Sequence, residues 1–325
     1  MRRIALLYNE PGAGASEADA DVLVQVEAVL QAMRTTGNPV TPIAVSLDLA
    51  ALDDALSRIR PTIAINLIEA LGGTDRLAAL VPQLLDARRI PYTGVGADAL
   101  AALTDKVAAK RALRAAGLAT PDWYLPGELF PGPGQYIIKA RYEHASIGMD
   151  SDSVLRAGEA SHLDCAATKR SARFGTAFFA ERFVPGREFN LALLSATDGV
   201  ETLPPAEIDF SGLPAGEPSI VGWNAKWVPD SIEYSATPRR LTFSGDDAAL
   251  LRELGQLARS AWDAFGLRGY ARVDFRVDAS GQPWILEVNG NPCLSPDAGF
   301  AASLAHARIP FEQAVERLLG AAAHD

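Results

Sequence analysis

GYARVDFRVDASGQPWILEVNGNPCLS, running from Gly269 to Ser295, decides how the rest of the chain is read. Ala271, Val273, Phe275 and Val277 alternate with Arg272, Asp274, Arg276 and Asp278, the two-residue period of a strand with unlike faces. Asp278-Ala-Ser-Gly281 has turn chemistry. Pro283 to Val288 then returns as an apolar strand, and Asn289-Gly-Asn-Pro292 breaks it. In such a hairpin Arg272 and Asp274 share one face, Glu287 and Asn289 share one face of the return strand, and pairing can bring the two pairs together. Two carboxylates, an amide oxygen and a guanidinium would then meet. Hard oxygen donors of this kind suit Mg²⁺, which binds through a few protein oxygens together with nucleotide phosphates. A surface hairpin with ordinary salt bridges has a similar composition. Glu287 argues against it, because it lies inside WILEVN, where burial is expected, and a buried carboxylate requires a partner or a metal.

This stretch resembles the metal-binding end of the ATP-grasp enzymes, specifically the D-alanine–D-alanine ligase branch. There an Arg-x-Asp strand and a Glu-x-Asn strand hold two Mg²⁺ ions on ATP. The motif alone is moderately specific; its weight comes from further matches in the same order along most of the chain, strongest from Ile90 onward.

Composition sets the outer bounds. A chain of 325 residues that is 48% hydrophobic has room for two or three domains with sizeable cores. A net charge of −10 with no basic run argues against nucleic acid as a standing partner. Cys165 and Cys293 form no metal-spaced pair and fit a reducing cytoplasm better than a secreted disulfide scaffold. Met1-Arg-Arg precedes an apolar run of only IALLY, too short for a signal segment, and no stretch is long enough to span a membrane.

Taken in order, Ile4 to Tyr8, Val40 to Ser46 and Thr62 to Leu67 read as strands, and Ala20 to Met33, Leu49 to Ile59 and Arg76 to Arg88 as helices. Such alternation implies a parallel sheet with helices on both faces. The loop after the third strand, Ile68 to Asp75, lies where open α/β sheets bind ligands, and it contains Glu69 and the pair Gly72-Gly73. Thr104-Asp-Lys106 opens a helix carrying Lys110. Leu125 to Gln135 is a Pro- and Gly-rich loop, and Tyr136 to Ala140 is a strand whose Lys139 interrupts an apolar run, costly unless an anion meets it. Arg141 to Gly148 is a loop of small residues able to fold over phosphate oxygens. Ala157 to Arg173 reads as a helix, Ala177 to Val184 and Leu203 to Phe210 as strands, and Ala248 to Phe265 and Phe311 to Leu319 as helices.

The resemblance implies an ATP-grasp fold of α/β and α+β type. An N-terminal parallel-sheet domain (1–103) precedes a central subdomain (104–188) and a C-terminal metal-bearing subdomain (189–325), and ATP lies between the last two. It implies that Asp274, Glu287 and Asn289 hold Mg²⁺, with Mn²⁺ as a substitute ion, and that Lys106 and Lys139 reach the ATP phosphates. The backbone of Glu181, Arg182 and Val184 meets adenine, and Glu188 takes the ribose hydroxyls. Lys226 approaches the γ-phosphate and Ser146 remains in the phosphate loop. Arg272 and a backbone amide near Cys293 face the oxyanion, with Ser295 beside them. The implied reaction joins a small-molecule carboxylate to an amine, in a cytoplasmic enzyme and a homodimer.

Several positions depart from the family. Its Ser-x-Glu grip on the first substrate's ammonium has no clear equivalent at Ser16-Glu17. Its His-Gly pair is Glu69-Ala70 here, and its serine pair near the C-terminal loop gives way to Leu294-Ser295-Pro296-Asp297-Ala298. His144 and Ala145 replace a glycine and a serine in the phosphate loop. These changes lead to the expectation of a ligase for substrates other than two D-alanines, with Glu69 as the residue receiving the amine. An ATP-dependent phosphotransferase and a regulatory nucleotide-binding protein are the competing classes.

Overall fold

Three short aliphatic runs make the first sheet. Ile4–Asn9, Val40–Val45 and Ile63–Asn66 pair in parallel, with the first of them in the middle. The computed structural model describes residues 2–12, 17–34 and 36–322; Ser16 lies outside them. Along the middle strand, Ala5 and Leu7 share a core with Leu52 and Leu56 of the helix Leu49–Ile59. Ile4 and Leu6 share another with Val26, Val29 and Met33 of the helix Glu17–Arg34. A strand apolar on both faces is thus covered on both.

The expected helix from Arg76 to Arg88 is divided. A 3-10 turn, Asp75–Leu77, is capped by the Thr74 side chain, which accepts from the Arg76 N–H, and a helix follows only at Leu80–Ala87. Pro82 falls in its first turn, where the missing N–H has no cost. The helix Ala97–Thr104 escaped the sequence reading because ADALAALT is apolar almost throughout and shows no helical period.

Asp105 ends that helix and caps the next, Lys106–Ala115, accepting from the N–H groups of Val107 and Ala108. A small antiparallel sheet follows, ordered Trp123–Tyr124, Phe178–Arg182, Gly134–Ala140, Val154–Ala157. Ala157, read as the start of a helix, instead ends a strand opposite Gly134; Gly158 intervenes, and the helix spans Ala160–Phe174. Its core of Tyr136, Ile138, Leu163 and Phe178 is separate from the other two.

The larger sheet runs Arg239–Arg240, Ala206–Ile208, Arg187–Ala196, Tyr270–Val277, Pro283–Asn289, all antiparallel, with Gly199–Thr202 also pairing Arg187–Ala196. The strand expected from Leu203 to Phe210 shortens to Ala206–Ile208 because Pro204 and Pro205 have no N–H for a ladder. Ala248–Ala264, Gly299–His306 and Phe311–Ala322 are helices. Residues of the N-terminal and larger sheets occupy the same two cores, so these regions pack as a unit. Two glycines let their backbones come close. Gly269, at φ 71°, lies so near Gly94 that a Cβ there would come within 2.9 Å of the Gly94 nitrogen.

Candidate active site

Local strand pairing places the key side chains. Arg272 lies opposite Asn289 and Asp274 opposite Glu287, as the alternating pattern required. The register then shifts: Phe275 pairs with Ile285, leaving Leu286 as an extra residue in the return strand. This β-bulge reverses side-chain parity. Ile285 and Val288, three residues apart, both reach the core, while Leu286, Glu287 and Asn289 all line a cavity.

That cavity has a volume of about 610 Å³ and is walled by all three regions of the chain. On the hairpin wall, Arg272 grips Asp274 through two hydrogen bonds of 2.7 Å. The amides of Asn190 and Asn289 also donate to Asp274, at 2.9 and 3.2 Å. Burial works against the Arg272 cation, yet Asp274 raises its pKa. Glu287 contacts the His144 ring and lies 3.5 Å from the Lys106 ammonium. Burial opposes its ionisation, but Lys106, His144 and Lys226 hold its carboxyl well below the usual range.

The loop from Arg141 to Gly148 closes over this wall and is tied down on every side. Lys106 donates to the Glu143 carbonyl, Lys226 to that of His144 at 3.3 Å, and the Trp227 indole to that of Ala145 at 2.9 Å. The Ser146 hydroxyl donates to the Val221 carbonyl at 3.0 Å, so it is already engaged, and its φ of 62° gives the loop a left-handed kink. From the N-terminal region, Asp75 accepts from the His144 N–H at 2.8 Å and Thr74 donates to Glu143 at 3.3 Å. Burial and Glu143 push the Asp75 carboxyl up, and burial raises Glu143 in turn.

At one end the lining is apolar: Ile137, Phe183, Val184, Ile208, Ile220 and Leu286. Lys139 enters from the floor and donates to Glu181 at 2.6 Å, with Lys110 on the other carboxylate oxygen. Glu188 lines the cavity and pairs with Arg276 at 2.8 Å. Arg182 turns its guanidinium away, onto the carbonyls of Pro131 and Pro133 and over the Tyr136 ring, so its side chain does not face the cavity.

The opposite end is built from the N-terminal region and the loop after the hairpin. Asn291 donates to the Ile68 carbonyl at 3.2 Å, docking one loop on the other. Glu69 accepts from Gln25 at 2.7 Å, and burial pushes its carboxyl up to about 7, with Asp21 adding to the rise. Asp21 accepts from the Cys293 thiol at 2.9 Å and from the Ser295 hydroxyl at 2.8 Å. Burial and Glu69 raise the Cys293 pKa, so its sulfur stays a thiol. Asp21 and Gln25, one helical turn apart, were missed because the neighbouring Val22, Val26 and Val29 stripe explained the helix as a core element. The spacing of two polar residues beside that stripe was the available signal. Asp75, Glu143 and Lys110 were also missed as interacting groups.

Two carboxylates and an amide oxygen on one wall are a hard donor set, and Asn289 donates to Asp274 through its nitrogen, leaving its oxygen for a cation. Among the described residues no cluster of three or more His, Cys, Asp or Glu side chains forms a ready metal site. The hard donor set nonetheless fits Mg²⁺.

A parallel-sheet domain followed by two antiparallel sheets around a lysine- and carboxylate-lined cleft defines the ATP-grasp class. Residues 136–320 match the family described as D-ala D-ala ligase C-terminus. The D-alanine–D-alanine ligase of Chromohalobacter salexigens is 34% identical over 77% of this chain and 75% of its own length. That of Methylococcus capsulatus is 32% identical over 94% and 93%. The chain belongs to the D-alanine–D-alanine ligase family, ATP-dependent carbon–nitrogen ligases. Among solved structures, a D-alanine–D-alanine ligase from Bacillus anthracis shares the fold with a TM-score of 0.74 at 18% identity, covering 100% of this chain and 98% of that one. The same enzyme complexed with ATP gives a TM-score of 0.72 at 17% identity, over the same shares of both chains.

Proposed function

We propose that this protein is an ATP-dependent carboxylate–amine ligase that joins two amino-acid-type substrates through an acyl phosphate. The observation that carries the reading is the convergence of Asp274, Glu287, Asn289, Lys106, Lys139 and the 141–148 loop on one cavity. The apolar end suits adenine, with the carbonyl edge of the Glu181–Val184 segment beside it and Glu188 as acceptor for a ribose diol. Lys106, Lys139 and Lys226 then lie along the triphosphate. Mg²⁺, held by Asp274, Glu287 and Asn289, would offset charge on the transferring phosphoryl group. The substrate carboxylate attacks the γ-phosphorus and ADP leaves. The amine then attacks the acyl carbon, the bond to phosphate breaks, and the amine loses a proton. Arg272 and the N–H of Cys293 would stabilise the oxyanion between these events.

The relatives are named for D-alanine, and no comparison favours another pair of substrates. The argument for a departure is local: Glu69 and Asp21 receive the ammonium, in a loop and on a helix where the family's own grip is not written. The reading includes a homodimer, which sedimentation would test, and a place in the cytoplasm. No described helix is long and apolar enough to cross a membrane.

ADP release across carboxylates and amines, headed by D-alanine with D-alanine and followed by product masses, tests the whole. Amine-dependent ADP release with an amide product supports ligation. Efficient D-alanyl-D-alanine synthesis would assign D-alanine and remove the departure. ADP release with a phosphorylated product and no amine dependence would favour the phosphotransferase class.

A further inference from the structure

Lys110 is the most deeply buried lysine of the described residues and has no part in the reaction above. Its side chain is 1% exposed, in the interior behind Glu181, which is itself 1% exposed. Its ammonium forms an ion pair with Glu181 Oε2 at 2.5 Å and donates to the Thr120 hydroxyl at 2.7 Å and the Pro121 carbonyl at 3.5 Å. These three contacts hold Lys110 in place. Lys139 differs. It lines the cavity, and Glu181 is the only acceptor its ammonium meets among the described residues. One buried carboxylate is therefore shared by a fixed lysine behind it and a lysine free to swing in front.

The sharing solves a problem that the site would otherwise have. A buried carboxylate with Lys139 as its sole partner would hold that lysine against the pull of an incoming phosphate, because releasing it leaves an uncompensated charge in the interior. With Lys110 behind, Glu181 remains paired when Lys139 departs. Burial raises the Glu181 pKa, but the two lysines together bring it below the ordinary value, while burial lowers that of Lys110 to about 8. Lys110 stands four residues after Lys106 on the helix Lys106–Ala115, so one helix face supplies both the lysine beside Glu287 and the one behind Glu181.

We propose that Lys110 is a positioning residue for nucleotide binding: it keeps Glu181 neutralised from behind, so that Lys139 can leave Glu181 for the phosphates of ATP. The proposal rests on the reading of the cavity as an ATP site.

The test is a cycle of Lys110→Met, Glu181→Gln and the double variant, with ATP dissociation constants from calorimetric titration and KM and kcat from ADP release. Lys110→Met should weaken ATP binding about tenfold, the size expected when one charge-assisted contact is withheld, with a smaller change in kcat. The double variant, which no longer has a carboxylate to hold Lys139, should regain most of that loss. Lys110→Arg, which keeps the charge, should bind ATP better than Lys110→Met. A Lys110→Met protein that binds ATP as tightly as the wild type overturns the proposal. So does a double variant as weak as the single. If Lys110→Met does not fold, the folded double variant decides: near-normal ATP affinity supports the role and a tenfold loss overturns it. Failure of the wild type to bind ATP would instead bring down the nucleotide reading, and this inference with it.

Discussion

The two ends of the cavity treat buried charge in opposite ways. At the end proposed for the nucleotide, Glu181 has two lysines and Glu188 has Arg276. At the other end Asp21 and Glu69 accept only neutral donors among the described residues: a thiol, a hydroxyl and an amide. A site for a polyanion gains from carboxylates neutralised in advance, since none then repels the phosphates. A site for an ammonium gains from the reverse, because an arriving cation meets charge that no protein group has satisfied. The raised pKa of Glu69 records that unmet demand.

The sharpest break in this contrast should come from the hairpin wall between the ends. Glu287→Gln is expected to leave the fold intact and to reduce turnover at least about 100-fold, which corresponds to about 2.7 kcal/mol of transition-state stabilisation. Undiminished wild-type turnover in excess EDTA would refute the metal assignment on which this rests.

Glu69→Ala comes next. Its KM for the amino substrate should rise about 10- to 100-fold, as for loss of a charge-assisted contact, while ATP affinity barely changes. A defect confined to nucleotide binding would erase the distinction between the ends. Lys139→Ala is the mirror experiment: apparent KM for ATP should rise about tenfold for the same reason, with secondary effects on the amino substrate. Unchanged nucleotide titrations would return Lys139 to the status of a simple ion-pair lysine.

The pH profile offers a finer test. If the ammonium needs Glu69 ionised, kcat/KM for the amino substrate should climb as pH rises through about 7. Between pH 6 and 8 the ionised fraction of such a group changes about tenfold, and Glu69→Gln should flatten that limb. The folded pKa lies above the ordinary 4.5, so the contribution of Glu69 to folding stability is complete below 4.5 and is lost as pH rises through about 7. The smallest expected effect belongs to Trp227→Phe. It removes one neutral hydrogen bond to the phosphate loop, about 1 kcal/mol, and should reduce turnover by roughly fivefold.

The contrast also explains what could be read in the sequence. The hairpin wall is carried by strands, whose period of two announces which side chains share a face; Arg272 with Asp274 and Glu287 with Asn289 were legible for that reason. The parallel sheet of the N-terminal region followed from the alternation of the first three strands and their helices, while the ATP-grasp class came with the family resemblance. Partners that meet across the fold left little trace. Asp21 and Cys293 are 272 residues apart, and only tertiary packing brings them together. Lys110 was legible as a helix residue but not as the partner of Glu181, because burial of a lysine runs against its usual preference. Arg182 shows the converse limit: position beside Glu181 was readable, the direction of its side chain was not.

The extra residue at Leu286 has a consequence for how this chain tolerates changes in length. Removing Leu286 would leave Ile285 opposite Phe275 and Glu287 opposite Asp274, an unbroken ladder in which core and cavity sides still alternate. Ile285 and Val288 would stay among the aliphatic side chains, Glu287 and Asn289 would stay in the cavity, and only the apolar lining from Leu286 would be lost. An insertion in the Asp278–Gly281 turn changes no such parity in the strands themselves. Removing Val288, two positions on from Leu286, would instead set Glu287 and Asn289 on opposite faces, so two single-residue deletions in one strand would have opposite fates.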